Sequence, residues 1–309
     1  MKKISVILPT YNGATRGSGE YLKQAIESVL NQTYENFELI IVNDCSTDNT
    51  EEIVKSYKDK RIIYIKNEVN KGVYSARNKG LKNATGEYIA FLDDDDYYYS
   101  NKLKDQFDFM VDNKSYVSLS DMDVINAYGI KYVTLKNKKY FSQVKDICKG
   151  HISPAPSSLM FKRDLIYDIG YFKDYLRSAA DFDYILRIAT KYNIDLIPTA
   201  LNAYRKHSFN ITSDNEITYI SGLLVKYELQ NILLPFYNND INEYYYDTFL
   251  RYTKWRYQDD NFYAFRACYN IAKMYGKMGF IWHIKYLLSY LPFIVLVLKK
   301  LRRLCKKYV

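Results

Sequence analysis

The stretch that decides the fold is GEYIAFLDDDD, residues 86–96. Its apolar part, Tyr88–Leu92, is typical of a buried strand. Four carboxylates follow where the strand ends, and because like charges repel, such a run calls for raised pKa values or a bound cation. Asp93 and Asp95 can face one site, since side chains two apart share a side of an extended segment. Mg²⁺ or Mn²⁺ would suit these oxygen ligands. The alternative is a solvated acidic loop without a ligand.

Strand and helix patterns alternate on both sides of this stretch. The N-terminal elements are predicted as strands Ile4–Leu8, Phe37–Val42, Arg61–Ile65 and Tyr88–Leu92, and as helices Tyr21–Leu30, Asp48–Tyr57 and Val73–Leu81. Such alternation predicts an α/β protein with a mostly parallel, doubly wound sheet. Ligands in these sheets bind outside the carboxyl ends of the strands, so a site is expected there.

The later part of the chain changes character. Further strands are predicted at Tyr116–Ser120, Ile130–Leu135, Ser157–Phe161 and Leu201–Arg205, with a helix at Phe182–Tyr192, so this part of the sheet is expected to be mixed. After about Thr212 the pattern is helical, with predicted helices at Ile217–Leu234, Ile241–Tyr257 and Phe262–Tyr275. We therefore predict two domains, residues 1–212 and a helical region, residues 213–309.

Composition excludes several classes of protein. The 309 residues are 48% hydrophobic and 26% charged, which is a globular composition and argues against long disorder or collagen. The four cysteines are widely scattered without a CxxC pair, which argues against zinc and redox motifs and suggests reduced thiols in a cytosolic protein. The apolar run that ends at Pro9 is too short for a signal peptide.

The positive charge is concentrated at the C-terminus. Of the net charge of +9, six charges lie in the last eleven residues, which contain no acid. Before them, Tyr286–Leu298 is uncharged and mostly apolar, but as a helix it would span about 20 Å, less than the roughly 30 Å bilayer core. This pattern predicts peripheral attachment to a membrane, with a buried helix or a true span as alternatives. The near-neutral remainder argues against nucleic-acid binding.

Polar residues follow the first two strands. After the first strand come Pro9, Thr10, Tyr11 and Asn12, where an aromatic ring can stack on a base, although this is also ordinary turn chemistry. After the second strand comes Asp44, which could accept a hydrogen bond from a base or a sugar. Asp48, four residues later, is better explained as a helix cap.

Two further segments contain candidate site residues. Asn70-Lys71-Gly72, a helix start near Val73 and Arg77 together could bind an anion. Asp181 and Asp183 lie about 200° apart on a predicted helix, so only one can face a site. Asp181 has an ordinary alternative, because Ser178 three residues earlier could cap that helix.

Taken in order, the motifs resemble the inverting glycosyltransferases of family 2, which have the GT-A fold. The segments that carry the resemblance are SVILPTYN (5–12), SVLNQTY (28–34), ELIIVND (38–44), STD (46–48), NKG (70–72), ARN (76–78) and GEYIAFLDDDD (86–96). The resemblance covers about residues 3–212 and is most specific in the first hundred.

The resemblance implies a role for each matching residue. Thr10, Tyr11 and Asp44 would hold the uridine of a UDP-sugar, and Arg77 would lie near the diphosphate. Asp93 and Asp95 would form the DxD motif, with Asp95 and His207 close to Mn²⁺ or Mg²⁺. The remaining residues expected near the nucleotide-sugar are Pro9, Asn12, Asn70, Lys71, Gly72 and Asp94. Asp181 would be the general base that deprotonates the acceptor hydroxyl.

Two features depart from the family pattern. The first acid of the acceptor-side pair is replaced by Ala180, and the segment Gly13–Gly19, which contains Arg16, is longer than the usual turn. That segment is either a flap over the donor or a tolerated surface insertion.

The resemblance implies transfer of a hexose or N-acetylhexosamine to a surface polysaccharide or a lipid-linked oligosaccharide, at the cytoplasmic face of the cell membrane. Two rivals stay open. A sugar-nucleotide pyrophosphorylase needs a phosphate loop that Gly13–Gly19 only superficially offers. A degenerate nucleotide-sugar-binding subunit without turnover is supported by Ala180 alone.

Overall fold

The structure is a computed structural model that describes residues 2–153, 155–176, 178–208, 210, 215–258, 262–276, 285–286 and 289. The chain divides into two compact units. The first comprises Met1–Ile147 and His151–Val225, and the second comprises Cys148–Gly150 and the described residues from Lys226 onward. The predicted boundary between residues 212 and 213 stays a prediction.

The first unit is built on a mixed sheet. Its strands are β1 (Ile4–Thr10), β2 (Phe37–Asn43), β3 (Ile62–Lys66), β4 (Tyr88–Phe91), β5 (Tyr97–Tyr98), β6 (Val117–Asn126), β7 (Lys131–Leu135), β8 (Leu159–Lys162) and β9 (Ile194–Lys206). The order across the sheet is β3-β2-β1-β4-β8-β6-β9-β5, and β7 pairs with β6. The first four strands in this order are parallel, whereas β8 runs antiparallel to both β4 and β6. The predicted mixed α/β sheet is confirmed.

Helices cover this sheet. They are α1 (Glu20–Leu30), α2 (Thr50–Ser56), α3 (Val73–Asn83), α4 (Lys102–Asp112), α5 (Gln143–Lys149), α6 (Leu165–Ile169) and α7 (Ala180–Ala189). In α1 the residues Leu22, Ala25, Ile26 and Val29 recur at helical spacing, and all four are buried. They join β1, β2, β4 and α4 in one hydrophobic core, which fixes the strand ends where the predicted site residues lie.

Several strand and helix boundaries differ from those predicted from the sequence. Strands β6 and β9 are longer than predicted because each continues through polar residues, among them Asp121, Asp123 and Asn202, that pair across the β6–β9 ladder. The main-chain hydrogen bonds of a parallel ladder form whatever the side chains are. A hydrophobic pattern therefore underestimates the length of such strands. Helix α2 begins at Thr50 rather than at Asp48.

The C-terminal region is helical, as predicted. Its described helices are α8 (Asn215–Glu228), α9 (Gln230–Leu233), α10 (Ile241–Gln258) and α11 (Phe262–Tyr275). The single helix predicted over Ile217–Leu234 is interrupted at Leu229. No helix among the described residues is both long enough and apolar enough to cross a bilayer. Except for Tyr286 and Ser289, the predicted membrane-associating segment lies outside the described residues.

Candidate active site

The carboxyl ends of β1, β2 and β4 open into a cleft of about 750 Å³. This volume lies in the range of small-molecule sites. Helix α3 and the start of α7 complete the walls, and every wall residue belongs to the first unit. The predicted site residues that line the cleft are Pro9, Thr10, Tyr11, Asn12, Asp44, Asn70, Gly72, Arg77, Asp93, Asp94, Asp95 and Asp181.

Two other predicted site residues reach the cleft indirectly. Lys71 has an exposed side chain, and its main-chain N–H donates to Asp44 Oδ2 at 3.0 Å. His207 follows β9, and its Nε2 lies 2.9 Å from Asp95 Oδ2, while its ring stacks on Tyr21. Lys71 therefore acts on the site through its backbone, and His207 acts through Asp95.

Asp44 is held firmly at the end of β2. Besides Lys71, its carboxylate accepts hydrogen bonds from Asn67 Nδ2 at 2.7 Å and from the N–H of Gly72 at 2.7 Å. These bonds leave little acceptor capacity on the carboxylate for a ligand. Asp44 thus fixes the turn that leads into α3 and places Asn70 and Gly72 in the cleft wall.

The end of β1 is hydrogen-bonded to residues 93–96, which we call the acidic loop. Thr10 Oγ1 donates to Asp94 Oδ2 at 2.5 Å. A Cβ on Gly13 would lie 2.7 Å from Thr10 Oγ1 and 3.1 Å from Asp94 Oδ2, so only glycine fits there. Tyr11 lines the cleft and is 44% exposed, which leaves its ring accessible for stacking on a planar ligand.

The first two carboxylates of the acidic loop are paired with arginines. Asp93 Oδ1 accepts a hydrogen bond from Arg77 in α3, and Asp94 Oδ2 lies 2.5 Å from Arg16 Nη2. Burial raises the pKa of Asp94 to about 6, against the opposing charge of Arg16. Arg16 belongs to the segment Gly13–Gly19, so that segment reaches the site. Whether it moves as a flap stays a prediction.

The next two residues of the acidic loop are held by the end of β9. The side-chain Nε of Arg205 donates to the main-chain oxygen of Asp95 at 2.9 Å. The main-chain N–H of Arg205 donates to Asp96 Oδ1, also at 2.9 Å. Ser157 Oγ donates to Asp96 Oδ2 at 2.7 Å. Burial raises the pKa of Asp96 well above its usual value. Asp96 is thus a structural anchor, whereas Asp95 faces the cleft beside His207.

The side chains present suit a divalent cation only in part. Across the residues that the structure describes, no three or more Asp, Glu, His or Cys side chains form a group that could hold a metal ion. Asp95 and His207 nevertheless place a carboxylate oxygen and an imidazole nitrogen together. A Mg²⁺ or Mn²⁺ ion that takes its other ligands from substrate phosphates and water needs only one or two protein carboxylates. The donor set fits such an ion.

Asp181 is a half-buried carboxylate in the wall of the cleft. Burial raises its pKa to about 6, while the nearby charge of Arg77 opposes this shift. Asp183, two residues later, is fully buried and pairs with Arg187 at 2.7 Å and with Lys173 at 3.0 Å. As expected from helical geometry, only one of the two acids faces the cleft.

Ser178 does not cap helix α7, contrary to the alternative that the sequence offered. Helix α7 begins at Ala180, and Ala179, which has no capping side chain, occupies the N-cap position. Ser178 Oγ is buried at the cleft and, among the described residues, has no hydrogen-bond partner. Ala180 is fully buried. Asp181 Oδ1 nevertheless accepts the N–H of Phe182 at 2.8 Å, so this acid also satisfies a main-chain donor in the first turn of α7.

Asp48 has a wider role than the one predicted. It precedes the N-cap residue of α2, which is Asn49, and its Oδ1 accepts hydrogen bonds from the N–H and the hydroxyl of Thr50. Its Oδ2 accepts from the N–H of Thr15 at 2.8 Å. Asp48 thus fastens the Gly13–Gly19 segment to α2.

Arg16, Ser157 and Arg205 are contacts of the acidic loop that the sequence did not identify as site residues. Arg16 could have been suspected from its place in a glycine-rich segment after β1. Ser157 precedes β8 and Arg205 lies in β9, so their relation to the loop depends on how each of these strands pairs with its own neighbours in the sheet.

Comparison with known proteins places these features in a family. The sequence profile of Glycosyl transferase family 2 matches residues 5–170, more than half of the chain. An uncharacterized glycosyltransferase of Rickettsia bellii is 36% identical over 241 residues, which are 75% of this chain but 33% of that protein. The chain thus spans about a third of the length of this relative.

A shorter match involves a relative whose name states a reaction. It is the UDP-Glc:alpha-D-GlcNAc-diphosphoundecaprenol beta-1,3-glucosyltransferase WfaP of Escherichia coli, 45% identical over 121 residues, which are 39% of this chain and 46% of that protein. Among solved structures, S. aureus TarS 1–349 in complex with UDP-GlcNAc has a TM-score of 0.64 at 23% identity, covering 93% of this chain and 89% of that chain. This likeness shows a shared fold.

Proposed function

The chain belongs to glycosyl transferase family 2, and on that premise we propose that it transfers a hexose or an N-acetylhexosamine from a UDP-sugar to a hydroxyl group of a glycan acceptor. The observation that carries the proposal is the carboxylate of Asp181, with its raised pKa, in the same cleft as the acidic loop. A cleft that holds both a diphosphate-binding loop and a general base has the two parts that such a transfer needs.

The nucleotide would bind at the ends of β1 and β2. Tyr11 offers an accessible ring for the base, and Asp44 shapes the turn of Asn70 and Gly72 beside it. Arg77 brings a cation to the cleft wall, and its Nε has no hydrogen-bond partner among the described residues. Arg77 would therefore serve the diphosphate while it holds Asp93.

Asp95 and His207 would hold the divalent cation, Mn²⁺ or Mg²⁺. When bound, this cation neutralises charge on the departing diphosphate. Arg205 and Asp96 keep the main chain of the loop in place, so that the Asp95 carboxylate stays beside the imidazole. The further metal role predicted for Asp93 stays a prediction, since its carboxylate is paired with Arg77.

Asp181 would act as the base in an inverting displacement. Its carboxylate accepts the proton of the acceptor hydroxyl, and the acceptor oxygen forms a bond to the anomeric carbon of the sugar. The bond from that carbon to the oxygen of UDP breaks, and UDP leaves with the electron pair. A pKa near 6 suits this role, because the group is ionised at neutral pH yet basic enough to take a proton.

A lipid-linked glycan is our proposed acceptor. WfaP, as its name states, acts on a sugar joined through a diphosphate to undecaprenol. An enzyme with such an acceptor works at a membrane surface. We therefore propose that this chain is peripherally associated with the cytoplasmic face of the cell membrane.

The test is UDP release from a panel of UDP-sugars by the purified chain with Mn²⁺, with and without an acceptor sugar. Asp181→Asn should abolish release yet leave UDP binding, measured by calorimetry, within about twofold. Asp112→Asn, which changes an exposed acid in the same way, is the matched control and should keep full activity. Asp95→Ala should lose the metal dependence of UDP binding.

Two results would contradict the proposal. Failure of the wild-type chain to bind UDP, with or without metal, would remove the nucleotide-sugar donor. UDP binding without transfer to any acceptor would favour the rival hypothesis, a nucleotide-sugar-binding subunit without turnover.

A further inference from the structure

We propose that residues 127–145, which form the β6–β7 turn, strand β7 and the segment after it, bind the surface of an anionic lipid bilayer beside the cleft. We call these residues the hairpin surface. It lies in the first unit and is separate in sequence from the basic C-terminal tail. Binding itself does not depend on the proposed transfer reaction, whereas its use in delivering a lipid-linked acceptor rests on the proposed function.

All the charged side chains of the hairpin surface are positive. Five lysines and no acidic residue occur between positions 127 and 145. Lys136, Lys138 and Lys139 are exposed, and Lys131, which pairs with Asp123, is still 53% exposed. A second run of this unit without an acidic residue, 69–86, contains Lys71, Lys79 and Lys82, but its aromatic residue, Tyr74, is buried. An acid-free run is complementary to anionic headgroups.

Aromatic and aliphatic side chains are exposed among these lysines. Tyr128 at the turn is 89% exposed, and Ile130, Tyr132, Tyr140 and Phe141 are each more than half exposed. Strand β7 pairs only with β6 among the described strands. All of its residues except Thr134 are exposed, so both of its faces carry exposed side chains. Tyrosine has an apolar ring and a polar hydroxyl, which suits the boundary between headgroups and acyl chains.

The hairpin surface also adjoins the cleft. Leu135 at the end of β7 and its partner Met122 in β6 both line it. A bilayer that contacts β7 would therefore lie next to the site, and an acceptor that projects from a membrane lipid could enter without leaving the surface. The exposed aliphatic side chains of Ile130, Val133 and Leu135 favour a bilayer over RNA, because they offer no ring on which a base could stack.

The test is partition of the full chain onto phosphatidylcholine vesicles with and without phosphatidylglycerol, measured by co-sedimentation. The test variant is Lys136→Glu/Lys138→Glu/Lys139→Glu. Lys58→Glu/Lys60→Glu/Lys82→Glu makes the same charge change at exposed positions outside the hairpin surface and is the matched control. Since each lysine near an anionic surface is worth about a fivefold change in partition, the test variant should bind about a hundredfold more weakly than the control.

A second variant tests the apolar part of the surface. Tyr128→Ser/Tyr132→Ser leaves the charge unchanged and should lower partition several-fold, with a circular dichroism spectrum like that of the wild type. Because no lysine of the hairpin surface is assigned to the cleft, UDP binding and transfer to a water-soluble acceptor should be unchanged in the lysine variant.

Three outcomes would overturn this proposal. They are equal vesicle binding by test and control variants, equal binding of the wild type to vesicles with and without phosphatidylglycerol, and tight binding of an RNA homopolymer without vesicle binding. Failure of the proposed function would look different, because the wild type would then bind vesicles but not UDP.

Discussion

Asp181 and Asp183 are two residues apart in α7 and have opposite environments. Asp183 points into the protein and pairs with Arg187, whereas Asp181 lines the cleft and has its pKa raised by burial. One acid is neutralised by a fixed partner, and the other is left able to exchange a proton. Such a division of roles between neighbouring carboxylates is typical of acid–base chemistry.

The raised pKa of Asp181 predicts that the transfer rate falls at low pH. The carboxylate must be ionised to accept a proton, and burial raises its pKa to about 6 from the usual 3.8. We expect kcat/KM to fall about tenfold for each pH unit below about pH 6. Initial rates across this range would check it, with far-UV circular dichroism to show that the chain stays folded. A rate that stays level down to pH 4 would contradict the assignment.

Arg16 predicts how the acidic loop responds to metal. Its guanidinium lies 2.5 Å from Asp94 Oδ2 and 3.7 Å from Asp95 Oδ2, so it repels a cation that approaches the loop. Arg16→Gln should therefore tighten the binding of Mn²⁺ in the absence of nucleotide by about fivefold. Electron paramagnetic resonance of free Mn²⁺ would measure this.

Arg16→Lys keeps the charge and serves as the control, with an Mn²⁺ affinity close to that of the wild type. Weaker Mn²⁺ binding by Arg16→Gln than by Arg16→Lys would show that Arg16 supports the metal site instead of competing with it.

At the scale of elements, the strands that could be predicted from the sequence are those with both faces buried. Every residue of β1 and of β2 is buried, so apolar residues fill most positions of each strand, with Ser5 and Glu38 as buried polar residues within them. The two-residue strand β5 and the polar parts of β6 and β9 were missed, because they exist only through pairing with distant partners. The same distance explains why Arg205 was not identified as a contact of Asp95 and Asp96.

The packing of α3 on β1 depends on Gly80. A Cβ at this position would overlap Ile7 Cγ2, and Ile7 is fully buried in the sheet. Gly80→Ala should lower the free energy of unfolding by about 1–2 kcal/mol, because overpacking exceeds the gain in helix propensity. Urea denaturation would measure it. Asn83→Ala at the exposed end of the same helix should stay within about 0.5 kcal/mol.

A double variant separates overlap with Ile7 from a backbone effect. If the overlap is the cause, Ile7→Ala and Gly80→Ala together should cost less than the sum of the two single changes. Additive costs would point to the helix backbone instead.

Helix α4 begins with a buried lysine. Lys102 is fully buried, its Nζ has no hydrogen-bond partner within the described part of the chain, and burial lowers its pKa to about 7. Between pH 7 and the usual 10.5 the unfolded chain binds more protons, so the stability of the wild type should rise with pH across this window. Lys102→Met should raise the melting temperature at pH 7 by several degrees and remove this dependence.

Thermal denaturation at pH 7 and near pH 10 would check the change, and Lys104→Met, at an exposed position in the same helix, is the control. A lower melting temperature for Lys102→Met than for the control at pH 7 would show that the stacking of Lys102 on the Tyr98 ring outweighs the burial of the amine.

At the scale of the whole molecule, the candidate site draws on the first unit alone. Residues far apart in sequence, from Pro9 to Asn210, meet in one cleft because β2, β1 and β4 are neighbours in the sheet and β9 pairs with β5, which directly follows residues 93–96. The alternation of strands and helices was enough to predict that β1, β2 and β4 end at one edge. It could not predict that β9 ends beside them, since that depends on a parallel pairing with β6.

Because the cleft belongs to the first unit alone, it predicts which main-chain amides a donor nucleotide protects from hydrogen exchange. Bound ligand suppresses local opening of the segments that it contacts. With UDP and Mn²⁺ present, amide hydrogen exchange should slow in residues 9–12, 70–77 and 93–96, which line the cleft, and stay unchanged in α10 and α11. Asp95→Ala with UDP and Mn²⁺ should lose the protection at residues 93–96 while keeping it at 9–12, because the nucleoside end does not depend on the metal. Protection confined to α10 and α11 would place the nucleotide in the second unit and separate the cleft from the donor.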